Sequence, residues 1–242
     1  MILQFDLGNT RLKWRLMDDP EQLHGALDSG SLESGLRGLP WAQISAVQVV
    51  SVADRALTEA VKVLSDSFSM PSCDVVEVDL MRLPAWFSLG DTDHAQIGAD
   101  RVMAMLGAYQ PQTQYCVIDA GTALTADLVA DGQHLGGYIV PGLRMALGAL
   151  GAHTARIGSV GSGMYSAMLE PGRNTQHAVE HGVRRGLIAF CQAVAEQLSP
   201  RPDRIVVTGG DAAWISGHLH GIVVTEADLV FQGLTRYFSE LS

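Results

Sequence analysis

Apolar and polar residues alternate along the chain in patterns that predict strands and helices in turn. The opening stretch "ILQFDLG" and the run "LKWRLM" have the apolar content of strands, and Gly8, Asn9 and Thr10 lie between them. Glycine permits a tight backbone and asparagine tolerates left-handed dihedral angles, so these residues predict the turn of a β-hairpin. The chain is therefore expected to open with two antiparallel strands.

The rest of the first half continues with strands and helices. The runs "AVQVVSV" and "CDVVEVD" predict two further strands. Residues 84 to 98 have no periodicity and contain Pro, Gly and Asp, which predicts a loop before the helix "DRVMAMLGAY". A helix between the two strands is predicted by four apolar residues at helical spacing: Leu57, Val61, Leu64 and Phe68.

The second half repeats this plan from "YCVIDAGTALTADLV" onward. A strand, a D-x-G-T turn and a second strand match the opening hairpin, and a D-G turn leads into a third strand. The longest predicted helix follows, with Asn174 or Thr175 as its cap, and then come a strand ending in Gly209-Gly210, a short strand and a closing helix. The apolar face of the longest helix comprises Val179, Val183, Leu187, Cys191, Val194 and Leu198. The two halves, 1–114 and 115–242, predict a duplicated α/β domain with an active cleft between the copies.

Composition and charge exclude several classes of function. The 242 residues are 47% hydrophobic, enough for a sizeable core. The N-terminus does not resemble a signal peptide and no apolar run is long enough to cross a bilayer, so we expect a cytoplasmic protein with no membrane partner. Cys73, Cys116 and Cys191 fit no metal-ligand pattern and are expected to be reduced thiols. A formal net charge of -10 argues against a nucleic-acid partner, so any phosphate site must be built locally.

The repeated D-x-G turn is the main candidate for chemistry. A strand end holds the carboxylate rigidly, the Gly lets backbone N–H groups approach an oxyanion, and the neighbouring polar side chain adds a hydrogen bond. Two facing turns would enclose the phosphates of a nucleotide, with Asp6 and Asp119 directed at metal ions and Lys13 adding positive charge. An ordinary turn aspartate explains either turn alone. Two copies at equivalent places favour a paired site.

The order of the motifs points to a known family. Neither G-x-x-x-x-G-K-[ST] nor a strand-linked G-x-G-x-x-G is present. Instead D-x-G-N, D-x-G-T and G-G-D-A resemble the two phosphate motifs and the adenosine motif of the acetate and sugar kinase, heat-shock cognate and actin superfamily. A fuller ordered set resembles type III pantothenate kinase over essentially the whole chain: "DLGNTRLKW", "IGADR", "DAGTALTADLV", "GGYIVPGLRMALGAL", "GRNTQHAVEHGV" and "VTGGDA".

This resemblance implies both a fold and an activity. The fold would be α/β, with duplicated ribonuclease H-like (actin-like ATPase) domains and an interdomain cleft. The activity would be ATP-dependent phosphorylation of pantothenate to 4′-phosphopantothenate, the first step of coenzyme A biosynthesis. The implied cofactors are ATP, Mg²⁺ and a monovalent cation, K⁺ or NH₄⁺, and the implied assembly is a homodimer with its sites near the interface.

The resemblance also implies roles for particular residues. Asp100, the aspartate of G-x-D-R, would be the base that takes the proton from the pantothenate hydroxyl. Asp119 would hold the monovalent cation, and Asp6 would hold Mg²⁺. Pantothenate binding falls on Gly98, Ala99, Asp100, Arg101 and Thr175, where the fork of donors on Arg101 suits the substrate carboxylate. ATP binding falls on Asp6, Leu7, Gly8, Asn9, Thr10, Arg11, Leu12, Lys13 and Thr122.

Several of these residues have simpler explanations. Asp100 begins a predicted helix, where an acid serves as an N-cap or complements the helix dipole. Arg101 would then be a surface residue, and Asn174-Thr175 an ordinary helix cap. His177 and His181 form an i, i+4 pair without the H-E-x-x-H pattern of a zinc site, so a solvated helix face is expected.

The sequence also departs from the family pattern. Asp91 and His94 stand where the family commonly has an aromatic residue and a proline, so Phe87 or a residue of a partner chain would complete the pantothenate pocket. In "TARIG", Gly158 stands where proline is common. Three alternatives remain: a kinase of the same superfamily for another small hydroxylated substrate, a non-catalytic regulatory relative, and a polymerising actin-like ATPase.

Overall fold

The chain folds into two compact units. The computed structural model describes residues 1–18, 23–28, 31–53, 55–68, 73–153, 169–197 and 201–241; the predicted "TARIG" departure lies outside them. The first unit comprises Met1–Ala108 and Asp228–Ser242, and the second comprises Tyr109–Ala227. The division near residue 108 lies close to the predicted one at 114, but the last helix groups with the first unit rather than with the second.

The first unit contains a mixed sheet with the strand order β3-β2-β1-β4-β5. Strand β1 pairs antiparallel with β2 and parallel with β4, so the predicted opening hairpin forms part of this sheet. The strands are β1 Ile2–Leu7, β2 Arg11–Met17, β3 His24–Asp28, β4 Ala46–Ser51 and β5 Asp74–Glu77. The helices are α1 Leu32–Arg37, α2 Arg55–Phe68, α3 Ala99–Ala108 and α7 Leu229–Leu241, with a 3-10 turn at Trp41–Gln43.

The two faces of β1 differ in character. Leu3, Phe5 and Leu7 alternate into the apolar core of the unit, whereas Gln4 and Asp6 lie on the opposite face, as the twofold period of a strand requires. A polar network anchors that face to α7, since Arg15 donates from Nε to Gln4 Oε1 (2.8 Å) and from Nη2 to the carbonyl of Phe231 (2.9 Å). Buried polar groups are stable only when they are paired in this way.

Helices α3 and α7 pack backbone against backbone. A Cβ at Gly233 would overlap the carbonyl oxygen of Met103, and one at Gly107 would overlap that of Leu229. The phenol of Tyr237 both accepts from the amide of Asp79 (3.0 Å) and donates to its carbonyl (2.9 Å). The last helix therefore fixes both α3 and the start of the loop that leads into it.

The second unit repeats the sheet of the first. Its strand order is β10-β9-β6-β7-β8, with β7 antiparallel to both β6 and β8, β9 parallel to β6, and β10 parallel to β9. The strands are β6 Gln114–Ala120, β7 Ala123–Ala130, β8 Gln133–Pro141, β9 Arg204–Thr208 and β10 Val223–Thr225. The helices are α4 Leu143–His153, α5 Thr175–Gln197 and α6 Ala212–Ser216. The predicted duplication of an α/β plan is confirmed.

Cys73, Cys116 and Cys191 are not joined in disulfides. Cys116 and Cys191 lie in the core of the second unit, and Cys73 is half-buried. Burial raises the pKa of both core thiols to about 12, so they are protonated and unreactive at neutral pH. Within the described residues, no helix is both long and apolar enough to span a membrane.

The α3–α7 contact generates a stability prediction. Gly233→Ala should lower the free energy of unfolding by about 1–3 kcal/mol, because the new methyl meets a backbone carbonyl that no rotamer change can move away. Gly182→Ala in α5 is the matched control, since its methyl would meet nothing within 4 Å and alanine favours helices by roughly 0.5–1 kcal/mol. Urea denaturation measures both changes, and equal stabilities would contradict the packing described here.

Candidate phosphate and substrate sites

The first D-x-G turn places a buried carboxylate beside a lysine. Asp6 and Lys13 are cross-strand partners in β1 and β2, and Lys13 Nζ lies 3.4 Å from Asp6 Oδ2. The Asp6 side chain is only 9% exposed, while that of Lys13 is 52% exposed. Burial raises the pKa of Asp6, and the charge and hydrogen bond of Lys13 oppose this effect without cancelling it. A cation close to Asp6 therefore favours the ionised form of this buried carboxylate.

The turn after Asp6 is closed by backbone atoms. The amide of Gly8 donates to the carbonyl of Arg11 (3.0 Å), and Asn9 and Thr10 are exposed at its tip. Neither Gly8 nor Asn9 has a φ in the left-handed region, so the turn forms without the tolerance expected of asparagine. Leu7 and Leu12 are buried, so their side chains belong to the core and only their backbone is available to a ligand.

The G-x-D-R motif begins helix α3. The helix starts at Ala99, so Asp100 is a first-turn acid and not the N-cap. Its Oδ1 accepts from the amide of Arg101 (2.7 Å), and a Cβ at Gly98 would lie 2.5 Å from the same oxygen. Glycine at position 98 therefore leaves the space that the Asp100 carboxylate fills.

The Asp100 helix and the first D-x-G turn lie at one edge of the same sheet. The amide of Val52, directly after β4, donates to the carbonyl of Leu7 at the end of β1 (3.0 Å). The side chain of Val52 reaches the start of α3, where it would lie 3.4 Å from a Cβ at Gly98. The structure thus brings together two motifs that are about ninety residues apart in the sequence.

The loop before α3 carries the departures from the family pattern. Asp91 is exposed, and His94 lies 3.2 Å from the carbonyl of Leu80 through Nδ1. Phe87 is buried at 5% exposure and packs edge-on against Trp86, with 6.4 Å between ring centroids. Ala99 and Arg101 are both half-buried.

The second D-x-G turn contacts two other glycine-containing segments of the second unit, at Gly142 and at Gly209. Gly121 donates to the carbonyl of Ala123 (3.1 Å), much as Gly8 does to Arg11. Thr122 is exposed, and its carbonyl accepts from the amide of Gly142 (3.0 Å), immediately before α4. A Cβ at Gly142 would overlap that backbone. Sequence reasoning gave Gly142 no role, although its Pro-Gly pair ahead of a helix could have drawn attention to it.

The G-G-D-A motif reaches Asp119 directly. Gly209 has a φ of +93°, and a Cβ there would overlap Asp119 Oδ1 and lie 2.6 Å from the carbonyl oxygen of Ala120. The amide of Asp211 donates to that carbonyl (3.0 Å). Only glycine combines this φ with this close approach. Gly209 is therefore required by the contact with Asp119 and not only by the turn that follows β9.

Thr175 is the exposed first residue of α5, and the cap of that helix is Asn174. Asn174 Oδ1 accepts from the amide of His177 (2.8 Å). The solvated face expected for the histidine pair is wrong for one of its members. His181 is 7% exposed and its Nδ1 lies 2.6 Å from the carbonyl of Glu170, because the chain before α5 covers it. In the described residues no cluster of three or more His, Cys, Asp or Glu could hold a metal ion.

Each unit therefore presents a strand-end carboxylate beside a turn of backbone amides, the arrangement that binds phosphate oxygens and their counter-ions. Among solved structures, the chain is similar to a Campylobacter jejuni protein named for the Baf family of transcriptional activators (TM-score 0.66, 20% identity, 99% of this chain and 98% of that one). It is also similar to a ROK family glucokinase from Streptomyces griseus solved with glucose and AMPPNP (TM-score 0.54, 13% identity, 97% and 98%). The predicted class is confirmed: an α/β protein of the sugar kinase and actin-like ATPase fold.

The family model for type III pantothenate kinase matches residues 2–197. The type III pantothenate kinase of Acinetobacter baylyi is 34% identical over 242 residues, covering 97% of this chain and 96% of that protein. The one from Pseudomonas savastanoi pv. phaseolicola is 37% identical over 247 residues and covers 97% of both. The chain belongs to the type III pantothenate kinase family, and the predicted resemblance and kinase class are confirmed.

The burial of Asp6 predicts a pH-dependent stability in metal-free buffer. Its pKa is raised in the folded state, so ionising it costs stability; this cost is absent below the unfolded value of 3.8 and grows as pH rises through the raised one. Asp6→Asn should therefore be more stable than the parent at pH 7 in urea denaturation, with the difference shrinking toward pH 4. Asp28→Asn, an exposed partner of Arg11, is the control and should show no such trend.

Proposed function

We propose that this chain transfers the γ-phosphoryl group of ATP to the 4′-hydroxyl of pantothenate, with Asp100 as the general base. The observation that carries the proposal is the start of α3, where Asp100 is fixed by a helix amide at the same sheet edge as the Asp6 turn. Family membership supplies the substrate pair. The residue roles are the part that we add.

The amides and polar side chains of the first turn are proposed to bind ATP phosphates. Asn9, Thr10 and Lys13 present exposed donors there, and Leu7 and Leu12 contribute only backbone. Arg11 is partly engaged by Asp28 (3.1 Å), so its contact with ATP would require that exposed pair to open. In the second unit the exposed Thr122 is the proposed ATP contact, beside the glycine segments that surround Asp119.

Two cations are proposed to accompany the nucleotide. The buried carboxylate of Asp6 is a hard oxygen ligand of the kind Mg²⁺ prefers, and the bound ion would neutralise phosphate charge. Asp119 would hold K⁺ or NH₄⁺, for which the neighbouring carbonyl of Ala120 offers a second oxygen. Neither position lies in a group of three or more His, Cys, Asp or Glu side chains in the described residues, so the other ligands would include phosphate oxygens, backbone carbonyls or water.

The proposed chemical step is a direct in-line displacement. The pantothenate hydroxyl oxygen forms a bond to the γ-phosphorus as the bond from that phosphorus to the β,γ-bridging oxygen breaks, and ADP leaves with the electron pair. The hydroxyl proton passes to the carboxylate of Asp100. Gly98 and Ala99 would line the substrate site, Arg101 would pair with the pantothenate carboxylate, and Thr175 would contact the substrate.

We also propose a homodimer that uses an apolar surface of the second unit. Strand β8 is an edge strand and exposes Leu135, Tyr138 and Ile139, the last at 61%, and α4 exposes Met145 and Leu150. An exposed edge with apolar side chains is typical of an interaction surface. Ile139→Glu should shift the molecular mass in light scattering from dimer toward monomer, whereas Val63→Glu, an exposed change in the first unit, should not.

A kinase for another small hydroxylated substrate is the competing function. The observation in its favour is Asp91, which is exposed where the family commonly has an aromatic residue, and Phe87 is too buried to replace that residue without movement. The two functions differ in the acceptor that releases ADP.

The deciding experiment is ADP release from the purified protein with ATP and Mg²⁺. Pantothenate should be required, and K⁺ or NH₄⁺ buffer should support turnover that Na⁺ buffer does not. If ADP release depends on another hydroxylated acceptor, that acceptor and not pantothenate is the substrate. Equal rates in K⁺ and Na⁺ would contradict the proposal that Asp119 holds a K⁺ or NH₄⁺ ion.

The same assay tests the base. Asp100→Asn should lower kcat by about 10²–10⁴ while ADP binding stays near that of the parent, because the change removes a proton acceptor and keeps the shape of the side chain. Asp93→Asn, an exposed acid in the loop before α3, is the matched control and should retain full turnover. Undiminished turnover by Asp100→Asn would assign the base elsewhere.

A further inference from the structure

The loop of residues 79 to 98 leads from β5 into the helix that carries Asp100. Its middle and end are fixed by apolar burial, since Phe87, Leu89 and Ile97 are at most 7% exposed. The first residue of the loop, Asp79, is exposed. The position of the loop at this end therefore depends on the hydrogen bonds of its backbone.

One phenol of α7 holds the start of the loop. Tyr237 is 1% exposed, and its oxygen accepts from the amide of Asp79 (3.0 Å) and donates to the carbonyl of the same residue (2.9 Å). A hydroxyl that serves as donor and acceptor to one backbone position restrains that position in two directions. The same carbonyl accepts from the amide of Arg82 (3.0 Å), so the first turn of the loop is restrained with it.

A histidine carries this restraint across the loop. Leu80 directly follows Asp79, and its carbonyl lies 3.2 Å from His94 Nδ1. A carbonyl oxygen can only accept, so Nδ1 carries the hydrogen and donates. The imidazole of His94 thus joins the start of the loop to a residue only four positions before Gly98.

Backbone hydrogen bonds complete the path to Asp100. The amide of Ile97 donates to the carbonyl of Asp93 (3.2 Å), and the amide of Val102 in α3 donates to the carbonyl of Gly98 (3.3 Å). The start of the loop, the residues around His94 and the first turn of α3 are therefore connected by consecutive hydrogen bonds. A displacement at Asp79 would be transmitted to the residues beside the Asp100 carboxylate.

The same face of α7 also holds α3. Tyr237 follows Gly233 by four residues, which places the two on one face of the helix. Gly233 is the residue that lies against the carbonyl of Met103 in α3. One helix face therefore fixes both the start of the loop and the helix at its end.

We propose that Tyr237 is a positioning residue for the acceptor substrate: its two hydrogen bonds to Asp79 set the place of the loop, and thereby that of Gly98 at the acceptor site. The phenol is buried and acts only through the backbone that it binds. The inference rests on the proposed substrate role of Gly98 and Asp100, and it adds a residue outside every motif found in the sequence.

The ATP turn should respond differently. That turn lies between β1 and β2, and α7 is joined to β2 by a separate hydrogen bond, from Arg15 Nη2 to the carbonyl of Phe231 (2.9 Å). Loss of the Tyr237 hydroxyl leaves this bond in place. A change confined to the acceptor site is therefore expected.

The test is steady-state kinetics of Tyr237→Phe, with urea unfolding of the same variant. Phenylalanine keeps the ring and removes both hydrogen bonds, so the KM for pantothenate should rise about tenfold. The KM for ATP should stay within about twofold of the parent, because the ATP turn is held by other contacts.

Trp41→Phe is the matched control. It removes another hydrogen bond from a buried aromatic side chain to a backbone carbonyl of the same unit, the one from Trp41 Nε1 to Leu36 (2.6 Å). This variant should lose stability in urea and keep both KM values of the parent. The proposal is overturned if Tyr237→Phe raises the KM for pantothenate no more than Trp41→Phe does, or raises the KM for ATP by the same factor.

His94 offers a second test at an exposed position, which decides the matter if Tyr237→Phe does not fold. His94→Ala removes the bond to Leu80 and should raise the KM for pantothenate about threefold or more. His94→Asn keeps a nitrogen donor near the place of Nδ1 and should recover most of the parent value. A KM in His94→Ala equal to that of the parent would overturn the path from Asp79 to α3, and with it the proposal.

Failure of the pantothenate assignment is a separate result. It would appear in the parent protein, as ADP release that another hydroxylated acceptor supports and pantothenate does not. The KM for that acceptor would then take the place of the KM for pantothenate, and the comparison of Tyr237→Phe with Trp41→Phe would be made in the same way.

Discussion

Close contact between a carboxylate and the groups around it is the constraint on which the rest of this structure depends. Asp119 has Gly209 against its oxygen, Asp100 has Gly98 in the same relation, and Asp6 is buried beside Lys13. A carboxylate in such a position loses hydration and needs amides or a cation in return. Each of these carboxylates is therefore held against backbone or a lysine, and the proposed phosphate and metal contacts rest on this arrangement.

The repetition of one sheet plan explains how much the sequence could predict. Strands are predicted by the local alternation of apolar and polar residues and by turn residues. The strands next to each D-x-G turn could therefore be predicted from the sequence of those segments alone. Strand β3 and helix α1 were not, because residues 18 to 45 show neither a clear period nor a recognised motif. The grouping of α7 with the first unit depends on contacts across more than a hundred residues, such as Gly107 with Leu229, which no local pattern reports.

The site shows the same division between local and long-range information. First-turn acids are common in helices, so the spacing around Asp100 alone could not distinguish a base from a residue that favours the helix dipole. The ordered motifs favour the base, and that role stays a proposal. Two features escaped prediction because each depends on another segment of the chain. His181 is covered by the segment at Glu170, which has no periodicity, and Gly142 lies against the backbone of Thr122, twenty residues earlier.

The discontinuity of the first unit has a consequence for how the protein is made. The chain leaves this unit after Ala108 and returns to it at Asp228. Helix α7 then supplies Gly233 against α3, the carbonyl of Phe231 that accepts from Arg15, and the phenol of Tyr237 that binds the backbone of Asp79. A ribosome releases these residues after the whole of the second unit. The second unit is continuous and can fold during synthesis, whereas the first must wait until α7 has been made, with α3 still uncovered. The half that carries Asp100 is therefore the one more exposed to chaperones and proteases in the nascent chain.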